Sequence, residues 1–387
     1  MKKLVMLSHE SVFSGNVKSG MAEMVDSLAN SLSQQYAVTI VCINGHGTFA
    51  RAAANLRTVK SGIQTCRFSA VDYYMLDRSM WPNCVADIVN ELKPDILHNF
   101  AEPELLGNIS KRPQKAIYTF DHVDYVRGKE QYLVDYDSVT TVSKNYSNEV
   151  LYARDALAQT LSTLDFHGIT NGILTAAFAP EKGLLIPAKY TSNDQSGKEL
   201  CKKRLLQTYG IQGNPYICLM MCRLVKEKGL DDVLAAVSVI KESGGVLIIV
   251  GKGDAEYEKQ LESFKHSDGL IYVGRWASPV QAAPLTAGAD FYLCPSDSEP
   301  CGLMPMTASR YGAVPIVSQN GGLTDNFNNT NAIVIENGLV DAIERAAALY
   351  SDSEALTAMR KICMEKDFSW NTRKQGYIDL YEKETGA

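Results

Sequence analysis

The sequence has no hydrophobic run long enough to cross a bilayer. No stretch of its 387 residues approaches the about 18 consecutive apolar residues that a membrane-spanning helix needs. It also has no basic excess, since 38 Lys and Arg are outnumbered by 44 Asp and Glu, for a formal net charge of -6. Proteins that bind nucleic acid irrespective of its sequence need a basic surface. We therefore expect neither a transmembrane segment nor nucleic-acid binding, and leave peripheral membrane contact open.

The nine cysteines show neither CxxC spacing nor a Cys/His cluster at metal-ligand spacing. This pattern predicts neither a zinc site nor a disulfide framework, and it favours a cytoplasmic location. The pattern GxxxxGK[ST] is missing as well, which argues against P-loop chemistry. We interpret the opening MKKLVMLS as a first strand rather than a signal peptide, because its apolar run is short and no small-residue cleavage pattern follows.

What the sequence does contain is a repeated alternation of short apolar runs with helix-length amphipathic segments. Such alternation predicts βαβ units on a parallel sheet. It occurs in both halves of the chain, and 387 residues suffice for two domains. We therefore predict an α/β protein with two Rossmann-like, doubly wound domains: an N-terminal domain at 1–178, a linker at 179–198 and a second domain at 199–368.

The predicted strands are the continuous apolar runs, as expected for parallel strands buried on both faces. In the first half they are KLVMLS, VTIVCIN, DILHNF, KAIYTF and SVTTVS. In the second half they are PYICLMMCRL, GVLIIVG, LIYVG, ADFYLCPS, VPIVSQ and NAIVIE. Ligands of such sheets bind beyond the carboxyl ends of the strands, so we expect the functional residues in the strand-to-helix loops.

Several of these loops are cationic or rich in glycine, which suits a phosphate-bearing ligand. Arg223 and Lys228 follow YICLMMC, and a guanidinium and an ammonium together can neutralise a diphosphate. Lys18-Ser19-Gly20 precedes a predicted helix, whose amino terminus favours anions. The alternative for both groups is an ordinary solvated loop. GKGD at 251–254 is not a dinucleotide fingerprint, and we interpret it as a turn in which Asp254 caps a helix.

The segment SDSEPCGLMPMTASRYG carries the most specific pattern. Glu299 ends its loop, and either faces the ligand or serves as an ordinary acid at a helix start. The first turn of the following helix offers a phosphate the amides of Gly302, Leu303 and Met304. Cys301 is interpreted as a small buried residue, because a nucleophilic thiol would want a histidine partner that the sequence does not point to.

The longer segment PSDSEPCGLMPMTASRYGAVPIVSQNGGLTD resembles the donor-site segment of bacterial glycogen and starch synthases. Further segments resemble motifs of that family in the same order: VKSGMAEMV, TTVSKNYSNEV, GITNGI, CRLVKEKGLD and DFSW. The resemblance implies the GT-B fold, with two Rossmann-like domains facing a cleft. It implies retaining transfer of glucose from ADP- or UDP-glucose to a glycan acceptor. It also implies that a final helix, within 369–387, crosses back to the N-terminal domain.

By this resemblance, Arg223 and Lys228 hold the donor diphosphate and stabilise the leaving nucleotide. Lys18, Ser19 and Gly20 assist from the other domain. No metal ion and no other cofactor is implied, because cationic side chains neutralise the diphosphate.

The same resemblance makes Glu299 the residue that binds the sugar hydroxyls near the reacting carbon. It places Cys301, Gly302, Leu303 and Met304 at the donor, with the amides of the last two at the phosphate.

The family has a histidine close to the transferred sugar, after a Val-Phe-Thr strand that corresponds to YTF in the segment YTFDHV here. His122 fits this role by its chemistry, while Asp121 stands at the ungapped position, so the choice stays open. Trp276 either stacks on the nucleotide base or packs between domains.

The sequence departs from the family pattern at two positions. Met21 stands where the family's Lys-Thr-Gly-Gly loop has its second glycine, and Leu174 stands where the family's Asn-Gly-Ile-Asp segment has its acid. Thr307 replaces a second glutamate that related transferases of surface-polysaccharide assembly carry, which favours the glycogen-synthase branch. The chain is also shorter than a bacterial glycogen synthase, mostly where acceptor contacts are expected. The main alternative is therefore a hexosyltransferase of surface-polysaccharide, lipopolysaccharide or other glycan assembly that uses a different nucleotide sugar. A phosphorylase of the same architecture is a second alternative, although the sequence shows no lysine context suited to its pyridoxal phosphate. A third is a regulator that binds a nucleotide sugar without turnover.

Overall fold

The computed structural model describes residues 1–12, 20–43, 56–60, 63–77, 81, 83–264, 269–277 and 279–383. The chain divides into two compact units. The first unit comprises Met1–Ile173 and Ser369–Ala387, and the second unit comprises Leu174–Phe368. Among the described residues, no helix is both long and apolar enough to cross a membrane.

Each unit is built on one sheet, and the strands are numbered in chain order. Those of the first unit are β1 (Lys3–Ser8), β2 (Ala37–Cys42), β3 (Leu56–Lys60), β4 (Ile63–Phe68), β5 (Val71–Leu76), β6 (Ile96–Asn99), β7 (Lys115–Phe120), β8 (Ser138–Thr141) and β9 (Phe166–Gly168). Those of the second unit are β10 (Tyr216–Met221), β11 (Gly245–Val250), β12 (Leu270–Val273), β13 (Phe291–Cys294), β14 (Val314–Val317) and β15 (Ile333–Val334).

Helices connect the strands of both sheets. They are α1 (Gly20–Leu32), α2 (Asn83–Leu92), α3 (Lys144–Tyr152), α4 (Ala156–Leu161), α5 (Ser196–Tyr209), α6 (Leu230–Ala235), α7 (Val237–Glu242), α8 (Ala255–Phe264), α9 (Pro279–Gly288), α10 (Leu303–Arg310), α11 (Gly321–Asn326), α12 (Leu339–Ser351), α13 (Ser353–Glu365), α14 (Trp370–Arg373) and α15 (Gln375–Glu382).

The parallel core of both sheets agrees with the sequence-based prediction. Over the described residues, the first sheet has the order β3-β4-β5-β2-β1-β6-β7-β8-β9 and the second the order β12-β11-β10-β13-β14-β15. The five apolar runs of the first half form β1, β2, β6, β7 and β8, and the six of the second half form β10 to β15. All six residues of β10 are buried, as a strand covered on both faces requires. The predicted fold class is confirmed.

The first sheet also has an antiparallel extension that the sequence analysis missed. β3 pairs with β4, and β4 with β5, in antiparallel fashion, while β5 joins β2 in parallel. Burial alternates along the first four residues of β5, because mainly one face of the strand is covered. The search for continuous apolar runs therefore overlooks such strands.

The division between the units falls between Ile173 and Leu174, whereas the sequence analysis ends the N-terminal domain at 178. The predicted linker, 179–198, lies in the second unit. Its Tyr190 is buried, and the Oη atom donates a hydrogen bond to the Tyr311 carbonyl oxygen at 2.9 Å. Tyr190 thus anchors this irregular segment to the second unit. The Pro and Gly content of the segment, on which the linker prediction rests, gives no indication of this contact.

The last helices, α14 and α15, pack within the first unit. Trp370 Nε1 donates to Ser27 Oγ at 2.6 Å, and Tyr381 Oη lies 2.7 Å from His98 Nδ1 in the core. The residues from Ser369 onward therefore belong to the unit that also contains the start of the chain.

Candidate functional site

The candidate site of the second unit lies where its strand order reverses. From β10 the chain builds β11 and β12 on one side, and β13 to β15 on the other. Ligands of open parallel sheets bind beyond the carboxyl ends of the strands at such a switch point. Arg223 and Lys228 follow β10, and Glu299 follows β13. The strand order therefore brings two separate sequence motifs to one crevice.

Lys228 and Glu299 form an ion pair across this switch point. Lys228 Nζ donates to Glu299 Oε2 at 2.9 Å, and the two side chains are only 17% and 19% exposed. Burial, the largest single effect, lowers the pKa of Lys228, but the Glu299 carboxylate together with Cys294 and Glu227 raises that pKa above its ordinary value. The ammonium group is therefore charged at neutral pH and already oriented. The structure thus brings together Glu299 and Lys228, two of the residues that the sequence analysis proposes for the donor.

The loop that carries Glu299 is held by backbone contacts. The Gly302 amide lies 3.3 Å from Glu299 Oε1 and donates to it, and the Gly322 amide donates to the Glu299 carbonyl oxygen at 2.9 Å. Gly321 has a φ of +43°, and a Cβ atom there would lie 2.1 Å from the same carbonyl oxygen. Only glycine permits this approach between the two loops.

We expect Gly321→Ala to destabilise the protein more than a matched glycine substitution elsewhere. Gly210 also has a positive φ, +65°, but a Cβ atom there meets nothing within 4 Å. Gly210→Ala should cost roughly 1–2 kcal/mol for the left-handed backbone alone. Gly321→Ala should cost about 1–3 kcal/mol more, because the methyl group overpacks the loop. Chemical denaturation of both variants measures the difference, and equal losses would contradict the tight approach at Gly321.

Helix α10 begins directly after this loop. Gly302, at a φ of +83°, is its N-cap residue and has no side chain with which to cap it. The first amides of a helix have no partner within the helix, and the helix dipole adds to their preference for an anion. The amides of Leu303 and Met304 lie at this helix start, and their contact with a phosphate stays a prediction.

Two cysteines border the Glu299 loop. Cys301 is buried, as the sequence analysis expects, and its carbonyl oxygen accepts a hydrogen bond from Asn326 Nδ2 at 3.0 Å. Cys294, which the sequence analysis did not single out, has its Sγ atom 3.9 Å from Glu299 Oε2. Burial, and then the Glu299 charge, raise the pKa of Cys294 to about 12. This thiol stays protonated and acts as a weak donor to the carboxylate.

Arg223 lies on the same side of the sheet but does not join the Lys228–Glu299 pair. Its side chain is 57% exposed, and Nη2 donates to Glu227 Oε1 at 3.0 Å. Exposed ion pairs of this kind are weak, so the guanidinium can exchange Glu227 for a ligand. The Glu227 carbonyl oxygen also accepts the Asp297 amide at 2.8 Å, which ties the two loops together.

The candidate residues of the first unit are described only in part. Gly20 is exposed at the start of α1, while Lys18 and Ser19 lie outside the described residues. His122 is the N-cap of the 3-10 helix Val123–Tyr125, and its Nδ1 accepts the Asp124 amide at 3.3 Å.

Asp121 and His122 are the first two residues after β7. Their position therefore does not decide which of them faces the transferred sugar. Burial raises the pKa of Asp121, and the neighbouring His122 opposes this effect.

The remaining residues of the sequence analysis differ in exposure. Trp276 follows β12 and is exposed, and Leu174 is exposed as well. Met21 is buried in α1, and Thr307 is buried in α10. A glutamate in place of Thr307 would therefore have to displace packed core atoms.

Comparison with known proteins gives consistent results. The family model for glycosyl transferases group 1 matches residues 202–367. The glycogen synthase of Myxococcus xanthus is 36% identical over 265 residues, which cover 64% of this chain and 55% of that protein. For the glycogen synthase of Lactococcus lactis the identity is 36% over 268 residues, with 64% and 56% covered. The chain thus spans about half the length of these curated relatives.

Among solved structures, the catalytic domain of starch synthase IV from Arabidopsis thaliana, bound to ADP and acarbose, has a TM-score of 0.87. The alignment covers 99% of both chains at 21% identity, so it demonstrates a shared fold. The motifs, the sequence matches and the fold agree: the chain has the GT-B fold and is similar in sequence to glycogen synthases, and residues 202–367 of its second unit match the family model for glycosyl transferases group 1.

Proposed function

We propose that the chain is a retaining glycosyltransferase that moves glucose from ADP- or UDP-glucose to a glycan acceptor. The observation that carries this proposal is the Lys228–Glu299 ion pair at the switch point of the second sheet, next to the start of α10. A cation, a carboxylate and free helix amides in one crevice provide partners for a diphosphate and for a sugar. The sequence similarity to glycogen synthases supports the same donor class.

In this proposal the cations act on the leaving group. The bond between the sugar carbon C1 and the diphosphate oxygen breaks, and negative charge grows on the departing nucleoside diphosphate. Lys228, Arg223 and the first amides of α10 stabilise that charge, which is usually the largest catalytic contribution. The acceptor hydroxyl oxygen forms the new bond to C1, and its proton leaves with the diphosphate. The proposal includes no metal ion and no other cofactor.

Glu299 acts on the sugar. Its carboxylate accepts hydrogen bonds from sugar hydroxyls and stabilises the positive charge that develops at C1. Gly302 permits close approach of the backbone, and Cys301, Leu303 and Met304 complete the donor site through their backbone.

From the first unit, Lys18, Ser19 and Gly20 assist at the phosphates, and His122 assists at the transferred sugar. A cytoplasmic location is part of the proposal, because the substrates of such a transferase are made there and the cysteine pattern fits a reducing compartment.

Ligand-induced thermal shifts test the donor class. A ligand that binds the folded state at a hundred times its Kd stabilises it by about 2.7 kcal/mol. We therefore expect ADP, UDP or one of their glucose esters to raise the Tm by several degrees, and GDP to raise it less. The matching sugar nucleotide should release its nucleoside diphosphate when glycogen or a maltooligosaccharide is added. A flat Tm with all of these ligands, together with no donor consumption, would refute the proposal.

A further inference from the structure

Helix α10 has one end at the proposed donor site and the other end in the core of the second unit. Its first amides, at Leu303 and Met304, are the proposed hydrogen-bond donors to the phosphate, and its C-cap residue is the buried Tyr311. Eight helical residues at 1.5 Å each separate the two ends by about 12 Å. Because backbone hydrogen bonds make so short a helix rigid, the contacts of Tyr311 also determine where the first amides lie.

A buried lysine holds the Tyr311 end of the helix. Lys198 is the third residue of α5 and is 1% exposed. Its Nζ atom donates to the carbonyl oxygens of Tyr311 at 2.9 Å, Ala289 at 2.8 Å and Ala287 at 3.1 Å. Ala287 lies in the last turn of α9, and Ala289 lies between that helix and β13. One ammonium group thus joins the ends of α9 and α10 to the start of β13.

The chemistry of these helix ends explains why a lysine is buried there. The last carbonyl groups of a helix have no partner within it and form the negative end of its dipole, so they favour a cation. An ammonium group has three N–H donors, and Lys198 uses them on three carbonyl oxygens. Burial, and then the charge of Arg360, lower the pKa of Lys198 to about 7, so the ammonium form predominates below that pH.

The same end of α10 also receives contacts from the irregular segment that precedes α5. Tyr190 Oη donates to the Tyr311 carbonyl oxygen at 2.9 Å, so this oxygen accepts from two buried side chains. Arg310, the last residue of α10, donates through Nη2 to Glu181 Oε1 at 2.6 Å. The Tyr311 carbonyl group is therefore fixed from two sides, by Lys198 and by Tyr190.

The contacts of Lys198 close a strand–loop–helix segment at its base. Residues 289–311, which we call the donor segment, comprise β13, the loop with Glu299 and α10. Ala289 and Tyr311 are the two ends of this segment, and both bind the Lys198 ammonium. Between them, α10 packs against β13. The loop that carries Glu299 lies between two elements whose far ends are joined by a single side chain.

We propose that Lys198 is a positioning residue for the donor site, because it joins both ends of the donor segment and so fixes Glu299 relative to the first amides of α10. At 1% exposure the side chain cannot touch a ligand, and it acts only through the peptide that it holds. This assignment rests on the proposed function, which gives Glu299 and these amides their roles. Misplacement of reacting groups by about 1 Å can cost roughly 10²-fold in rate.

Lys198→Met tests the proposal, since it retains the length of the side chain and removes all three donors. Below pH 7 and well below the Tm of the variant, we expect kcat with the sugar nucleotide that the parent protein consumes to fall at least tenfold. The KM for that donor should change less than kcat, because the lost geometry matters most in the transition state. A purely structural role would lower the Tm and leave kcat unchanged.

Lys115→Met is the matched control. Lys115 is also a buried lysine at the end of a helix, since its Nζ donates at 3.0 Å to the carbonyl oxygen of Lys383, the C-cap residue of α15. This helix belongs to the first unit and carries none of the proposed donor residues. We expect kcat to stay within twofold of the parent protein. An equal fall of kcat in both variants would contradict a specific role of Lys198.

Tyr190→Phe is a milder second variant, which loses only one hydroxyl group and keeps the proposal testable if Lys198→Met does not fold. We expect kcat to fall about threefold, because one of the two donors to the Tyr311 carbonyl oxygen remains. Tyr216→Phe is its control in the same unit. Tyr216 Oη donates to the Ile240 carbonyl oxygen in α7 at 3.2 Å, and its loss should leave kcat unchanged.

The two proposals fail in different ways. A parent kcat in Lys198→Met, or in Tyr190→Phe where Lys198→Met is not obtained, would overturn the positioning role and leave the proposed function intact. A parent protein that neither binds nucleotide nor consumes a sugar nucleotide would overturn the proposed function itself.

Discussion

Replacing Lys228 by methionine is expected to lower kcat for glucosyl transfer by about 10²–10³-fold, the loss typical of removing one group that stabilises charge in the transition state. The side chain keeps its length and apolar part, and only the ammonium group is lost. Glu299 would then lack its partner at 2.9 Å, so a negative charge would face the diphosphate without compensation. Nucleotide binding should weaken at the same time.

Lys226→Met is the control for this experiment. Lys226 starts the same 3-10 helix, Lys226–Lys228, but its side chain is exposed. The two variants change the net charge equally, so a general electrostatic effect would lower both rates alike. We expect Lys226→Met to retain more than half of the parent kcat. Initial rates at saturating donor decide the matter, and equal rates for the two variants would remove Lys228 from the reaction.

Asp290→Asn is expected to lower the free energy of unfolding by about 3–5 kcal/mol, the usual cost of breaking a buried ion pair from one side. Asp290 is fully buried and accepts from Lys202 Nζ at 2.7 Å and from Arg360 Nη2 at 2.5 Å. It also accepts the Ile217 amide at 2.8 Å, at the second residue of β10. The amide would leave the buried Lys202 ammonium without a countercharge and Arg360 with only the exposed Glu199 carboxylate, beneath the strand that leads to Lys228.

Glu199→Gln provides the matched control for the charge network. Glu199 Oε1 accepts from Arg360 Nη1 at 2.9 Å, but its side chain is 57% exposed. Removing this exposed partner should cost less than about 1 kcal/mol. Urea denaturation followed by circular dichroism compares the two variants. A loss below about 1 kcal/mol in Asp290→Asn would show that water or rearranged side chains replace the countercharge.

Much of the fold could be predicted from the sequence, because parallel strands carry a local signal. The run YICLMM is apolar throughout and forms β10, and KAIYTF, which is mostly apolar and buried along its whole length, forms β7. The strands β4 and β5 carry a weaker pattern, since polar residues such as Gln64, Arg67 and Asp72 interrupt them. An antiparallel strand with one exposed face has no continuous apolar run, so its recognition needs knowledge of its partner.

The sequence predicts the residues of the candidate donor site and their common ligand, but not the contacts between them. Lys228 and Glu299 were each identified in strand-to-helix loops, although 71 positions separate them in the sequence. The involvement of Cys294 and the link through Glu227 became apparent only in the structure.

By itself, the sequence determined the two α/β units, most of their strands, the loops that carry Glu299 and Lys228, and the family resemblance. The tertiary structure decided the order of the strands, and with it the position of the switch point in the second sheet and the Lys228–Glu299 ion pair that spans it. The physical reason is the range of the interactions. Strand formation follows from the apolar pattern of a few consecutive residues, whereas strand order depends on the packing of helices against the whole sheet. Burial then determines which charged groups lose their hydration and need an ion-pair partner to offset that cost. Lys228, which pairs with Glu299, is an example.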